Sequence, residues 1–133
     1  MIRKTLEARK WDAVVEYLTE TFSLVEKISP NGILFLIGIQ ELGKGPEKFK
    51  KDDKMNIIHI AICRLLEPFG YYDFKGRDSE GWPHYELKES IPSLRLGEQT
   101  ILIKKAIIQY FEEEDLLNNV FLHLEQDAKI SYP

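Results

Sequence analysis

The stretch MNIIHIAICRLLE, residues 55–67, decides the fold class of this chain. It is apolar almost all round when its residues are placed on a helix, because Ile57 and Ile60 widen an already broad apolar face. This pattern predicts a central, buried helix. The expected N-cap is Asp52 or Asp53, since a carboxylate stabilises the start of a helix.

Apolar periodicity elsewhere in the chain predicts further helices. The run ILFLIGI, residues 33–39, is short enough to be a buried strand instead, but no second strong strand is nearby to pair with it. The predicted fold class is therefore all-α, a compact four- to five-helix bundle in a single helical domain of residues 1–133. The predicted helices span residues 5–28, 31–43, 52–69, 97–114 and 114–127.

Residues 71–88 interrupt the helical pattern. Two aromatic segments, YYDF and PHYEL, flank a charged centre that contains glycine, which predicts a small β-hairpin insert. The sequence Asp78-Ser79-Glu80-Gly81 fits a type I turn, with Asp first and Gly fourth. An isolated hairpin is marginal in water, so its aromatic side chains should lie against the helices.

Composition limits the classes of function. The net charge is −4, which weighs against a nucleic-acid partner. The single cysteine, Cys63, excludes an internal disulfide and a cysteine-rich zinc site, and it favours a cytoplasmic location. No apolar run is long enough for a membrane span, and the first residues lack the apolar core of a signal peptide. A lysine-rich segment, residues 44–54, is expected to be a solvated loop.

The predicted helices carry more apolar surface than one small core needs. Surplus apolar surface often becomes a subunit interface, so the chain is predicted to form a homodimer.

The aromatic hairpin is the best candidate for a functional surface. Trp and Tyr are enriched in binding hot spots, and together with His they can shape a pocket for a flat or cationic ligand. The alternative is that these side chains only cover one end of the bundle. The predicted ligand- or partner-binding residues are Tyr71, Tyr72, Trp82, His84 and Tyr85.

A second candidate site involves His59 and Cys63, which share one helix face because they are four residues apart. Two ligands do not make a zinc site, so a third would have to come from His84, Glu41 or an aspartate. Glu41 beside either histidine could also form an acid–base pair. A histidine and a cysteine in a row of isoleucines are more often simply part of the core.

The motifs G-x-G-x-x-G, P-loop, H-E-x-x-H and G-x-S-x-G are absent, so no catalytic residue, metal or cofactor is predicted. The predicted function is a non-catalytic binding or assembly module whose partner is a protein or a small ligand. The alternative is a small enzyme or metal-dependent protein with a pocket between the hairpin and the third helix.

Overall fold

The computed structural model describes residues 4–43, 50, 52–88 and 96–130. Within these residues the chain forms five helices and a two-stranded antiparallel hairpin. The predicted fold class, a helical bundle with a small β-hairpin insert, is confirmed. The elements are α1 (Leu6–Thr21), α2 (Pro30–Leu42), α3 (Asp53–Leu66), β1 (Tyr72–Arg77), β2 (Pro83–Leu87), α4 (Leu96–Glu113) and α5 (Asn118–Ile130).

The chain divides into two compact units. The first unit joins Met1–Ile28 to Gly97–Pro133 and contains α1, α4 and α5, whereas the second unit, Ser29–Leu96, contains α2, α3 and the hairpin. The single domain of residues 1–133 stays a prediction.

Helix α1 ends seven residues earlier than its apolar pattern predicted. It stops at Thr21, and Ser23 adopts the left-handed conformation with φ 51°. Phe22 and Val25, which lie within the predicted span of this helix, are 51% and 102% exposed. Helix α2 begins at Pro30, which occupies its first turn, and the hydroxyl of Ser29 accepts a hydrogen bond from the Gly32 N–H at 3.1 Å.

Helices α2 and α3 pack with unusually close backbones. Gly38 of α2 is buried, and a Cβ atom at this position would overlap the carbonyl oxygen of Ile57 in α3. Ile57 is itself fully buried. Only glycine permits this approach, because any side chain would push the two helices apart. The run at residues 33–39 is thus helical, as predicted.

Helix α3 is the buried helix that the sequence predicted. Ile57 and Ile60 are both buried, although Met55 at the first turn is 72% exposed. Asp52 is the N-cap residue, but its side chain makes no capping hydrogen bond. The carboxylate of Asp53 accepts a hydrogen bond from the Lys50 N–H at 3.1 Å and so ties the preceding chain to the start of the helix.

In the first unit, Lys10 of α1 is a charged residue that is buried. Its ammonium group lies 2.7 Å from the Glu125 carboxylate of α5 and 3.8 Å from that of Glu112 in α4, and 5.3 Å from the centre of the Phe121 ring. A buried lysine needs such partners, and here they connect all three helices of the unit. Residues 114–117 separate α4 from α5 and include Asp115 in the left-handed conformation with φ 55°.

Two sequence expectations lie largely outside the described residues. The lysine-rich segment of residues 44–54 is described only at residue 50 and from residue 52 onward, and the connector before α4 falls mostly within residues 89–95. Among the described residues, no helix has the length and apolarity to cross a bilayer.

Candidate functional site

The turn of the hairpin is organised by Asp78. One carboxylate oxygen accepts hydrogen bonds from the N–H groups of Glu80 and Trp82, at 2.9 and 3.0 Å. The carbonyl oxygen of Asp78 accepts a third from the Gly81 N–H at 3.0 Å, as in the predicted turn. These bonds fix the backbone on which Trp82 stands.

Asp78 also fixes the side chain of His84. The second carboxylate oxygen lies 2.9 Å from the His84 Nε2 atom. This hydrogen bond and those from the Trp82 and Glu80 N–H groups hold the pKa of the Asp78 carboxyl below its ordinary value. When the imidazole is neutral, a proton on Nε2 leaves Nδ1 as a hydrogen-bond acceptor. His84 is therefore oriented even though its side chain is 62% exposed.

A bulge interrupts the pairing of β1 with β2. Phe74 pairs with Tyr85, and their rings lie 5.5 Å apart. A bulge then displaces Lys75, so that Gly76, at φ 110°, pairs with His84. The His84 side chain is 62% exposed, whereas its neighbour Tyr85 is half-buried.

Tyr72 belongs to the face that meets α3. Its ring lies edge-on to the ring of His59, with 6.3 Å between centroids, and its hydroxyl hydrogen-bonds the thiol of Cys63. The Cys63 sulfur is 3.5 Å from the His59 Nε2 atom, so these two residues do share a helix face. Burial raises the pKa of the Cys63 thiol to about 11. The thiol is thus protonated at neutral pH and a poor nucleophile.

Tyr85 lies on the same face, next to a second polar group of side chains. Burial, followed by the negative charges of Glu41 and Glu67, raises the pKa of Tyr85 to about 12. Glu41 of α2 is 3.4 Å from the Arg64 guanidinium of α3. Glu41 is thus placed beside Arg64 and Tyr85, whereas the sequence had suggested His59 or His84 as its partner.

Arg77 and Glu67 attach the hairpin to the helices. The Arg77 guanidinium donates to the carbonyl oxygen of Glu41 at 2.6 Å and to that of Gly81 at 3.0 Å. A cation is well placed at the C-terminal end of α2, where carbonyl groups lack helical partners. The Glu67 carboxylate accepts from the Phe74 N–H at 3.1 Å.

An open pocket of about 730 Å³ lies between the hairpin and α3. Its hairpin side consists of the turn and the start of β2. The residues on this side are Asp78, Glu80, Trp82, Pro83 and His84.

The opposite side of the pocket is the first half of α3 and the residue that is tied to its start. Asp53, Asn56 and Ile60 are three and four residues apart, so they share a helix face. The residues on this side are Lys50, Asp53, Asn56, His59 and Ile60.

The pocket divides the sequence-predicted site residues into two groups. Trp82, His84 and His59 line it, whereas Tyr72 and Tyr85 lie on the face of the hairpin that meets α3. Tyr71 is half-buried at the base of the hairpin, where its carbonyl oxygen accepts from the Lys88 N–H at 2.9 Å. Cys63 and Glu41 do not line the pocket.

Sequence reasoning did not single out Asn56, Ile60 or Glu80 as lining residues. The available signal was the helical spacing of Asp53, Asn56 and Ile60, but it matters only once the hairpin is known to lie over that part of α3. Across the described ranges, no three His, Cys, Asp or Glu side chains are close enough together to hold a metal ion.

No family model, no curated protein and no solved structure matches this chain.

Proposed function

We propose that this protein is a non-catalytic binding module that holds a small ligand, or one group of a protein partner, in the pocket between the hairpin and α3. The observation that carries the proposal is the placement of Trp82. Its indole stands on a turn fixed by three hydrogen bonds to Asp78, and it borders an open pocket of about 730 Å³. Ligand pockets in proteins have this range of volume.

The pocket also has the mixture of groups that a binding site needs. Trp82, Pro83 and Ile60 supply apolar surface, while Asn56 and His59 supply polar groups on the facing helix. A Trp side chain has few rotatable bonds and loses little conformational entropy on binding, which is why Trp is frequent in binding hot spots. The thiol of Cys63, protonated and outside the lining, supports binding over nucleophilic chemistry.

A fragment screen on the full chain, read by backbone amide chemical shifts, tests the proposal. Ligands should shift the amides of residues 53–60 and 78–84 and leave those of α5 unchanged. Trp82→Ala should weaken binding at least about tenfold, because an aromatic hot-spot residue contributes on the order of 2 kcal/mol. Trp11→Phe, in the other unit, is the matched control and should leave the affinity unchanged.

The stability of the Trp82→Ala variant decides how a loss of binding is interpreted. A variant that keeps its amide spectrum and its urea midpoint but binds no fragment supports the proposal. If the variant unfolds, Trp82 is structural, and Trp82→Phe then repeats the test with an aromatic ring retained. Fragments that bind the folded Trp82→Ala variant as tightly as wild type contradict the proposal.

Self-association is part of the proposal, together with a cytoplasmic location. The exposed apolar side chains of Phe22, Leu24 and Val25, which lie close together in the sequence after the end of α1, support self-association. Sedimentation velocity should detect a dimer that Leu24→Lys with Val25→Lys dissociates. A strictly monomeric mass at high micromolar concentration rules self-association out.

The pair formed by Asp78 and His84 favours one alternative, a small enzyme that uses the imidazole for acid–base chemistry. A carboxylate that orients a histidine is a recurring arrangement in such sites. Turnover of aryl and phosphate esters by His84→Asn should then fall at least about 100-fold. His123→Asn is the matched control, since His123 also pairs with a carboxylate, Asp127, at 3.6 Å in the other unit. If His84→Asn and His123→Asn turn over these esters at equal rates, His84 does not act as an acid–base group and the binding proposal stands.

A further inference from the structure

The charges around the pocket are unequal. Among the described residues, the lining includes three carboxylate residues, Asp53, Asp78 and Glu80, and one lysine, Lys50. With neutral histidines, these described lining residues carry a net negative charge. A surface of this sign attracts cations and repels anionic ligands, and the effect is stronger in a concave site because low-dielectric walls focus the field.

The Trp82 side chain favours organic cations over other cations. The face of an indole attracts ammonium and guanidinium groups through its quadrupole, and Trp is the best of the aromatic side chains in this role. The attraction adds to that of nearby carboxylates. Trp82 and Glu80 lie two residues apart on the same turn, so both sources of attraction border the same side of the pocket.

The spacing of the carboxylates argues against a bare metal ion as the cation. Within the described residues, no three potential metal ligands come close enough together to coordinate one ion. The carboxylates instead stand on both sides of the pocket, Asp53 on α3 and Asp78 with Glu80 on the hairpin. This distribution suits an organic cation that extends across the space between them.

We infer that the ligand of this pocket carries an ammonium or guanidinium group, held between Trp82 and the carboxylates of Asp53 and Glu80. The inference rests on the proposed function and specifies its ligand class. Two sources share this chemistry, a free amine and the side chain of a lysine or arginine in a partner protein. The pocket is open to solvent and so admits either.

Three capped amino acids of similar size test the charge requirement on the full chain. N-acetyl-lysine methylamide is the cation, N-acetyl-norleucine methylamide is its neutral counterpart, and N-acetyl-glutamate methylamide is the anion. Titration followed by the amide shifts of Asn56, Trp82 and His84 should show binding of the lysine derivative alone. Agmatine and an arginine-containing tripeptide then separate the two sources, since preference for the peptide indicates a protein partner.

Two variants with opposite expected effects separate electrostatics from damage to the fold. Glu80→Gln removes a negative charge and should weaken binding of the cation about threefold, whereas Lys50→Gln removes the positive charge and should tighten it about twofold. Damage to the fold would weaken binding in both variants. Glu16→Gln, at an exposed position of α1, is the matched control and should change nothing.

The outcomes distinguish the inference from the proposed function. Binding of the lysine derivative alone, with the opposite effects of the two variants, supports both. If the norleucine or glutamate derivative binds this pocket as tightly as the lysine derivative, the ligand class is wrong and the binding function stands. If no fragment or capped amino acid shifts the pocket amides at tens of millimolar, both are overturned.

Discussion

The α2–α3 pair and the β-hairpin belong to the same compact unit but are stabilised by different interactions. The helices meet through apolar side chains and the close approach of Gly38 to Ile57. The hairpin is held by hydrogen bonds that the Asp78 and Glu67 carboxylates accept and the Arg77 guanidinium donates, and these residues are wholly or partly exposed. The difference indicates that the helix pair provides most of the stability of the unit, while the hairpin positions residues that line the pocket.

The substitution with the largest expected effect tests the helix pair. Gly38→Ala should lower the free energy of unfolding by about 3 kcal/mol, because the new Cβ atom would overlap backbone of α3. Urea unfolding measures the change. Gly97→Ala is the control: its Cβ atom meets open space near the start of α4, so stability should hold or rise by about 0.5 kcal/mol. Equal midpoints for the two variants would show that the helices do not require close contact.

The reactivity of Cys63 tests how well the hairpin covers α3. Burial raises the pKa of this thiol to about 11, so few molecules carry the reactive thiolate at neutral pH. At about pH 8, alkylation by iodoacetamide should be at least about 100-fold slower in the folded protein than in concentrated urea. Mass spectrometry gives both rates. Similar rates would mean that the hairpin and α3 separate readily.

Tyr85 tests the same contact at alkaline pH. Its pKa is raised from 10.0 to about 12, so the stability it contributes is fully present below pH 10 and is lost as the pH rises through 12. Between pH 10 and 12 the free energy of unfolding of the wild type should fall by about 1 kcal/mol more than that of Tyr85→Phe. The expected difference is smaller than the full pKa shift would give, because the Tyr85 ring is only half-buried. Tyr17→Phe, at an exposed tyrosine of α1, should behave like wild type. If the free energy of unfolding depends on pH in the same way in wild type and Tyr85→Phe, the burial of this ring is contradicted.

Asp78 should show the smallest global effect. Asp78→Ala removes the hydrogen bonds to the Glu80 and Trp82 N–H groups, and these two amides should exchange with solvent faster than in wild type. The urea midpoint should barely change, because the α2–α3 core is untouched. Hydrogen exchange read by NMR tests this, and a large fall in the midpoint would show that the hairpin is part of the core. Because the pKa of Asp78 is lowered, the contribution of its carboxylate should persist at neutral pH and fade as the pH drops below about 4.

Much of the fold was predictable because it depends on local patterns. The all-round apolarity of residues 55–67 predicted buried α3, and the Asp-Ser-Glu-Gly sequence predicted the turn. The end of α1 was not predictable from periodicity, since Phe22 and Val25 continue the apolar pattern after the helix has stopped. Some of the candidate site residues named from the sequence, Trp82, His84 and His59, line the pocket, whereas Tyr72 and Tyr85 lie on the face toward α3.

The sequence by itself determined which segments are helical, where the hairpin turns and which aromatic residues it carries, because neighbouring residues dictate these features. Only the tertiary structure decided that Asp53 and Asn56 face Trp82 across a pocket, and that Glu41 lies beside Arg64 and Tyr85. Such pairings join residues that are distant in the sequence. They depend on how closely α2 approaches α3 at Gly38 and on which face of the hairpin meets the helix, and no local pattern encodes either.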